Sequence, residues 1–72
     1  MWYERIAGLR KLCGMSEQEA ANRLNISLRA YRRYERGTVR MSLKRLVEFA
    51  DLFAVSLDYL LGLSDDPAPP HA

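Results

Sequence analysis

The chain has 72 residues, 49% of them hydrophobic, and a formal net charge of +2. This length supports one small domain with a thin core, and the hydrophobic content excludes a disordered chain. Nothing resembles a signal peptide, because Glu4, Arg5 and Arg10 interrupt the first ten residues. No apolar run approaches the roughly 18 residues of a membrane-spanning helix. We therefore expect no membrane partner. A single cysteine cannot form an internal disulfide, so the reducing cytoplasm is the expected compartment.

The charges are segregated along the chain. Residues 23–45 contain eight basic side chains and one acidic side chain, a net charge of +7, whereas the remainder has a net charge of −5. This arrangement favours a polyanion-binding face on an otherwise acidic body. A solvated charged surface without a partner is the alternative.

Five amphipathic segments and no strand pattern predict an all-α fold. The first helix is expected from Trp2 to Cys13, because Trp2, Ile6, Leu9 and Cys13 recur at helical spacing. Cys13 is then a small buried hydrophobe at the edge of the core. Leu12 lies off this stripe and is either a second contact or, more commonly, an exposed leucine.

The second helix is expected at about residues 16–24. Ser16 and Glu19 have the spacing of a capping box, in which each side chain bonds the other residue's backbone amide. Asn25 follows, and asparagine is one of the few residues other than glycine that tolerates a positive φ. A tight turn is therefore expected at Asn25.

The third helix is expected at about residues 27–36, with Ser27 as its N-cap and a glycine after its end. Tyr31 and Tyr34 are three residues apart and should face the core. The opposite face of the same helix carries one stripe of residues: Leu28, Arg29, Arg32, Arg33 and Arg36.

Two further helices complete the expected bundle. The fourth begins at Ser42 and runs to about Ala54, and its expected buried residues are Leu43, Leu46, Val47, Ala50 and Phe53. The fifth is capped by Ser56 and stops at Gly62. Residues 1–63 should therefore form one domain, and the acidic, proline-rich residues 64–72 should form a flexible C-terminal tail.

With the helices placed, the chain resembles the XRE family of lambda-repressor-like, or Cro-type, helix-turn-helix domains. The resemblance covers about residues 5–62, nearly the whole chain. Its pieces are LR at 9–10, GMS at 14–16, A-x-x-L at 21–24, IS at 26–27, RYERG at 33–37 and VSLDYLLG at 55–62. Each piece is weak alone, but their order and spacing together are specific.

The resemblance implies a compact five-helix bundle that binds double-stranded DNA as a homodimer on palindromic operators. It implies that the third helix enters the major groove, with base contacts from Leu28, Arg29, Arg32 and Arg33. It places DNA backbone contacts at the start of helix 2 and around helix 3, from Ser16, Glu17, Ser27, Arg36, Thr38 and Arg40. It also implies a structural ion pair between Arg10 and Glu35, which orients helix 3 against helix 1.

Four positions depart from the family pattern. Residue 17 is usually a glutamine whose amide holds a phosphate, whereas Glu17 would repel one at close range. Met41 replaces a common proline, and Asn25 replaces a common glycine at little cost. Ala54 also replaces a common glycine, which weakens the expectation of a left-handed cap between helices 4 and 5.

Arginine suits the exposed face of helix 3, because its planar fork can donate two hydrogen bonds to guanine O6 and N7. It can equally hold phosphates, which fix the register without reading the sequence. Arg29 and Arg33, one turn apart, are our choice for base contacts, and Arg32 and Arg36 are favoured at the flanking backbone. Leu28 could pack on a thymine methyl or be helix-terminal surface.

The sequence holds no parts for catalysis. It has one histidine, in the tail, one cysteine and no glycine-rich phosphate loop. We therefore expect no enzyme activity, no metal, no cofactor and no small-molecule ligand. Two functions remain. The first is sequence-specific DNA binding by a repressor-like transcriptional regulator, and the alternative is an antitoxin-like or adaptor module with weakened DNA recognition.

Overall fold

The computed structural model describes residues 3–68, so Trp2 of the expected first helix and residues 69–72 of the expected tail lie outside it. Within residues 3–68 there are five helices and no strand, which confirms the all-α prediction. The helices are α1 (Glu4–Leu12), α2 (Glu17–Arg23), α3 (Leu28–Arg36), α4 (Leu43–Phe53) and α5 (Leu57–Leu60). None of them is long and apolar enough to cross a membrane.

Serine caps begin four of the five helices. Ser16, Ser27, Ser42 and Ser56 are extended in the backbone, and each hydroxyl oxygen accepts a hydrogen bond from the amide three residues later. These bonds satisfy amides that the first turn of a helix leaves unpaired. The expected capping box is confirmed, since the Ser16 amide also donates to the Glu19 carboxylate at 2.9 Å.

A left-handed residue follows every helix. In each case the amide of the next residue donates to a carbonyl five residues earlier, as Met15 does to Arg10 and Val55 does to Ala50. This is the Schellman arrangement, which satisfies carbonyls at the end of a helix. The five residues with positive φ between residues 3 and 68 are Gly14, Asn25, Gly37, Ala54 and Gly62. The turn expected at Asn25 is thus present, and Ala54 forms the cap although it is not glycine.

The core lies where α1, α3 and α4 meet, and its largest fully buried side chains are Tyr31, Phe49, Ile6 and Leu60. One expectation about its edge was wrong. Cys13 is exposed, because it lies after the last turn of α1 and the chain reverses at the following glycine. Met15 is buried in its place. Leu12 is 83% exposed, which confirms the commoner of its two interpretations, an exposed leucine.

The buried face of α4 is also rotated relative to the prediction. Leu43 and Val47 were expected in the core but are 67% and 42% exposed, whereas Phe49 is fully buried. Two apolar stripes share Leu46, Ala50 and Phe53, so helical spacing alone cannot choose between them. The larger aromatic side chain occupies the core.

The segment after α5 returns toward the start of that helix. The Ser56 amide donates to the Pro67 carbonyl at 3.0 Å, and its hydroxyl lies 3.4 Å from the Asp66 carbonyl. Ser56 is consequently buried. The flexible tail expected over residues 64–72 remains a prediction.

Ala54 offers a test of these helix ends. Its backbone has φ 55° and ψ 43°, a left-handed conformation that strains any residue with a Cβ. Ala54→Gly should therefore raise the free energy of unfolding by about 0.5–1 kcal/mol in urea denaturation. Ala7→Gly, inside α1, should lower it by about 1 kcal/mol. Equal losses from the two substitutions would show that Ala54 is not strained.

Candidate nucleic-acid interface

The α2–α3 pair is held together by small side chains and a short turn. Ala20 and Ala21 on α2 are fully buried, which allows the two helices to approach closely. Leu24 is buried at the end of α2, and Ile26 packs partly against the core. The turn between them has its left-handed residue at Asn25, with φ 59°. This is the geometry of a helix-turn-helix.

Aromatic contacts fix the inner face of α3. Tyr31 is fully buried, and its ring centroid lies 5.8 Å from that of Phe49 on α4. Tyr34 meets the same phenylalanine edge-on, with centroids 5.6 Å apart. Arg45 lies over the Tyr34 ring, with its guanidinium carbon 5.6 Å from the ring centroid. Such aromatic pairs add to the energy of burial and restrict rotation of the helix about its axis.

A nearly buried ion pair joins α3 to α1. Arg10 Nε lies 2.7 Å from Glu35 Oε2, and the two side chains are only 12% and 10% exposed. Arg10 Nη1 also donates to the Met15 carbonyl at 3.0 Å, so one guanidinium spans α1, α3 and the loop before α2. The hydrogen bond to Glu35 raises the pKa of Arg10 above its ordinary value. Burial likewise raises the pKa of the Tyr31 hydroxyl.

With its inner face anchored, α3 presents its other face to solvent. One open depression along this face is lined by all five residues of the expected stripe: Leu28, Arg29, Arg32, Arg33 and Arg36. The four arginines are exposed and Leu28 is half-buried. Within residues 3–68, Arg29 and Arg33 form no ion pair. The structure therefore brings the expected base-contact residues together on one accessible helix face.

The expected backbone-contact residues lie at the N-terminal ends of α2 and α3, at the other end of α3, and in the loop after it. Ser16 and Ser27 are exposed N-caps whose hydroxyl oxygens accept amide hydrogen bonds. At the other end, the Thr38 hydroxyl and amide both donate to the Arg33 carbonyl, at 3.3 and 3.1 Å. A phosphate contact from the Thr38 hydroxyl would require that hydroxyl to rotate. Arg40 is exposed in the loop before α4.

Glu17 has a partner that the sequence did not reveal. Its Oε1 lies 3.4 Å from Nε of Arg32, across the α2–α3 pair. The two residues are 15 positions apart, and the sequence carries no spacing signal for a contact between different helices. Glu17 therefore lies next to the exposed face of α3 formed by Leu28 and the four arginines, here called the arginine face, and neutralises part of its positive charge.

The loop after α3 packs closely on the N-terminal end of α1. A Cβ added to Gly37 would overlap the ring of Tyr3, and Gly37 has φ 70°. Tyr3, Tyr34, Thr38 and Arg40 line a second open depression beside this contact. The position of the basic loop thus depends on a glycine and on an aromatic ring near the N-terminus.

The chain matches the family model described as Helix-turn-helix over residues 6–60. It is 38% identical over 69 residues, 96% of its length, to the uncharacterised HTH-type transcriptional regulator YobD of Bacillus subtilis. It is 36% identical over 59 residues, 82% of its length, to the transcriptional repressor RstR of the cryptic phage CTXphi in Vibrio cholerae. The matches cover 62% and 53% of those two relatives. No solved structure gave a significant match.

The anchored α3, the short turn and the family match define a helix-turn-helix domain. The chain belongs to the XRE family of such domains, and the resemblance drawn from its motifs is confirmed. The expected lambda-repressor-like arrangement of five helices is confirmed as well. In the part of the chain that the structure describes, no group of three or more histidine, cysteine, aspartate or glutamate side chains could hold a metal ion.

The Arg10–Glu35 pair should be important for stability. Glu35→Gln leaves a buried guanidinium without its counter-charge, so we expect a loss of roughly 2–4 kcal/mol in the free energy of unfolding. Glu48→Gln is the matched control, because Glu48 pairs with Arg45 at 3.0 Å and these two side chains are 39% and 24% exposed, more than those of the Arg10–Glu35 pair. A partly exposed pair of this kind contributes about 0–1 kcal/mol. Equal losses from both variants, measured by urea denaturation, would contradict a special role for the Arg10–Glu35 pair.

The contact between Tyr3 and Gly37 can be separated from backbone strain. Gly14 has φ 71°, like Gly37, but a Cβ there would meet nothing within 4 Å. Gly14→Ala should therefore cost only the left-handed strain, about 1–2 kcal/mol. Gly37→Ala should cost about 1 kcal/mol more, because the Tyr3 ring must move. In a Tyr3→Ala background this extra cost should vanish; if it persists, the ring is not its source.

Proposed function

We propose that the chain binds double-stranded DNA in a sequence-specific manner, as the DNA-binding domain of a repressor-like transcriptional regulator, with α3 in the major groove. The observation that carries the proposal is the exposed face of α3, where four arginines and one leucine share one open depression. The net charge of +7 over residues 23–45 would attract the DNA backbone. The family supports the same conclusion, and so do the names of the two relatives, a transcriptional regulator and a transcriptional repressor.

We assign the contacts as follows. Base edges are met by Leu28, Arg29, Arg32 and Arg33, where Arg32 follows the family pattern and not the backbone position favoured by the chemistry of arginine alone. Phosphates are met by the residues at the ends of α2 and α3 and in the following loop: Ser16, Ser27, Arg36, Thr38 and Arg40. Glu17 lies at this boundary but carries the wrong charge for a phosphate. Arg29 and Arg33 support the base-reading assignment because both are exposed on this face and form no ion pair within residues 3–68.

The proposal includes a homodimer on a palindromic operator in the cytoplasm. A two-fold pair would present two copies of α3 about 34 Å apart, one turn of DNA. The chain spans 53–62% of the length of the two curated relatives described above, so the assembly of a full-length regulator is part of the proposal. Sedimentation of the protein with a selected duplex would give the stoichiometry.

Arg33→Ala tests the assignment of base contacts. Removing a bidentate contact to guanine should weaken binding to a selected duplex by about 5- to 150-fold, equivalent to 1–3 kcal/mol. Binding to random duplexes should weaken much less, so the specificity ratio should fall. Fluorescence anisotropy at two salt concentrations would measure both, after in vitro selection of the bound sequence.

Arg23→Ala is the matched control. It makes the same charge change within the basic segment, but Arg23 lies at the end of α2 beside Glu48 and Asp51, away from the α3 face. Its specificity ratio should stay at the wild-type value. A uniform loss across all duplexes with Arg33→Ala would show that Arg33 does not read bases. Absent or salt-insensitive binding by the wild-type protein would favour the adaptor function instead.

A further inference from the structure

The contact between Glu17 and Arg32 distinguishes Arg32 from the other arginines of the arginine face. We propose that Glu17 is a positioning residue that directs Arg32 to a guanine base and away from the DNA phosphates. The inference rests on the proposed function, since it concerns how the same face reads DNA. Glu17 is the first residue of α2, and Arg32 lies on the exposed face of α3. Their closest atoms, Oε1 and Nε, are 3.4 Å apart.

The atoms in this contact determine what Arg32 can still do. A guanidinium has five N–H donors, and Glu17 engages the one on Nε. The two terminal nitrogens, Nη1 and Nη2, keep their hydrogens and form the fork at the end of the side chain. That fork has the geometry required by O6 and N7 of guanine. Glu17 thus holds the side of the guanidinium and leaves its base-reading end free.

Charge discriminates between the two possible targets of Arg32. A phosphate bound to Arg32 would approach the Glu17 carboxylate, and the two negative charges would repel each other. The edge of a guanine offers oxygen and nitrogen acceptors without a net charge, so it does not meet this penalty. The carboxylate therefore opposes phosphate binding at Arg32 and tolerates base binding.

The contact contributes little to folding, which makes a role in positioning the better explanation. The side chains of Arg32 and Glu17 are 46% and 33% exposed, and ion pairs at such exposure stabilise a protein weakly. Holding a long, flexible arginine in one orientation before binding reduces the entropy lost on contact with DNA. Among residues 3–68, Arg32 is the arginine of the α3 face that an acidic side chain holds in this way.

The experiment uses in vitro selection followed by binding measurements with wild-type protein and the variants Arg32→Lys and Glu17→Gln. Wild type should select guanine at one position that Arg32→Lys no longer specifies, because lysine keeps the charge but lacks the fork. Glu17→Gln should lower the preference for guanine at that same position by about tenfold, within the range of one bidentate contact. It should also raise affinity for random duplexes.

Salt dependence separates base contact from phosphate contact. If Arg32 contacts a base in the wild type, Arg32→Ala should leave the slope of log K against log salt nearly unchanged. In a Glu17→Gln background, where Arg32 is free to reach a phosphate, the same substitution should reduce the slope by about 0.9. Asp58→Asn, which makes the same charge change as Glu17→Gln but on α5, should alter neither base preference nor this pattern.

Three results would overturn the inference. A slope reduced by about 0.9 when Arg32→Ala is made in the wild type would identify Arg32 as a phosphate ligand. Unchanged guanine preference in Glu17→Gln, with thermal unfolding showing a folded protein, would remove the positioning role. Both results leave sequence-specific DNA binding intact, since wild type still binds specifically, although the first moves Arg32 from the base contacts to the phosphate contacts. Failure of the wild type to bind any duplex would instead reject the proposed function together with the inference.

Discussion

The orientation of α3 depends on Phe49. This fully buried ring on α4 contacts both tyrosines on the inner side of α3, at centroid distances of 5.8 and 5.6 Å. A helix of nine residues is marginal in isolation, so its stability comes from packing of one face. The two tyrosines bury that face and leave the arginines on the other side in water, where their charges carry little desolvation cost. The basic face is therefore a consequence of the aromatic anchor.

The Arg10–Glu35 pair further restricts how α3 is oriented. The aromatic contacts restrict rotation of α3 about its own axis, whereas the ion pair fixes the last turn of α3 against α1. Glu35 is also the single acidic residue within the basic segment of residues 23–45. Because Glu35 is turned inward and nearly buried against Arg10, its charge is neutralised before it can weaken the outer face. The exposed surface of α3 is thus more uniformly positive than its residue composition indicates.

Local rules account for most of what the sequence could predict. Serine caps and the positive φ of Asn25 and Gly37 depend on neighbouring residues alone, and the structure has them where they were expected. The stripe of Leu28 and the arginines follows from the helical repeat in the same way. Predictions that needed the packing of the whole chain were weaker. Phe49 was missed because an alternative stripe with Leu43 and Val47 fits the same spacing.

Ala54 shows the same limit of local rules. It adopts a left-handed conformation despite its Cβ, because the next residue, Val55, is buried and its amide donates to the Ala50 carbonyl, and both contacts require the chain to reverse there. Tertiary packing overrides the local cost.

From the sequence alone, Glu17 is unsuitable for a surface that binds phosphate, and no spacing rule predicts a partner for it. In the structure it lies 3.4 Å from Arg32. Judged alone, its charge opposes DNA binding. Judged with Arg32, the charge opposes only contacts with other negative groups, and that is the condition under which an arginine distinguishes a base from the backbone. In the positioning role that we propose, the residue that fits a general polyanion surface least well is therefore the one that gives this surface a means of selectivity.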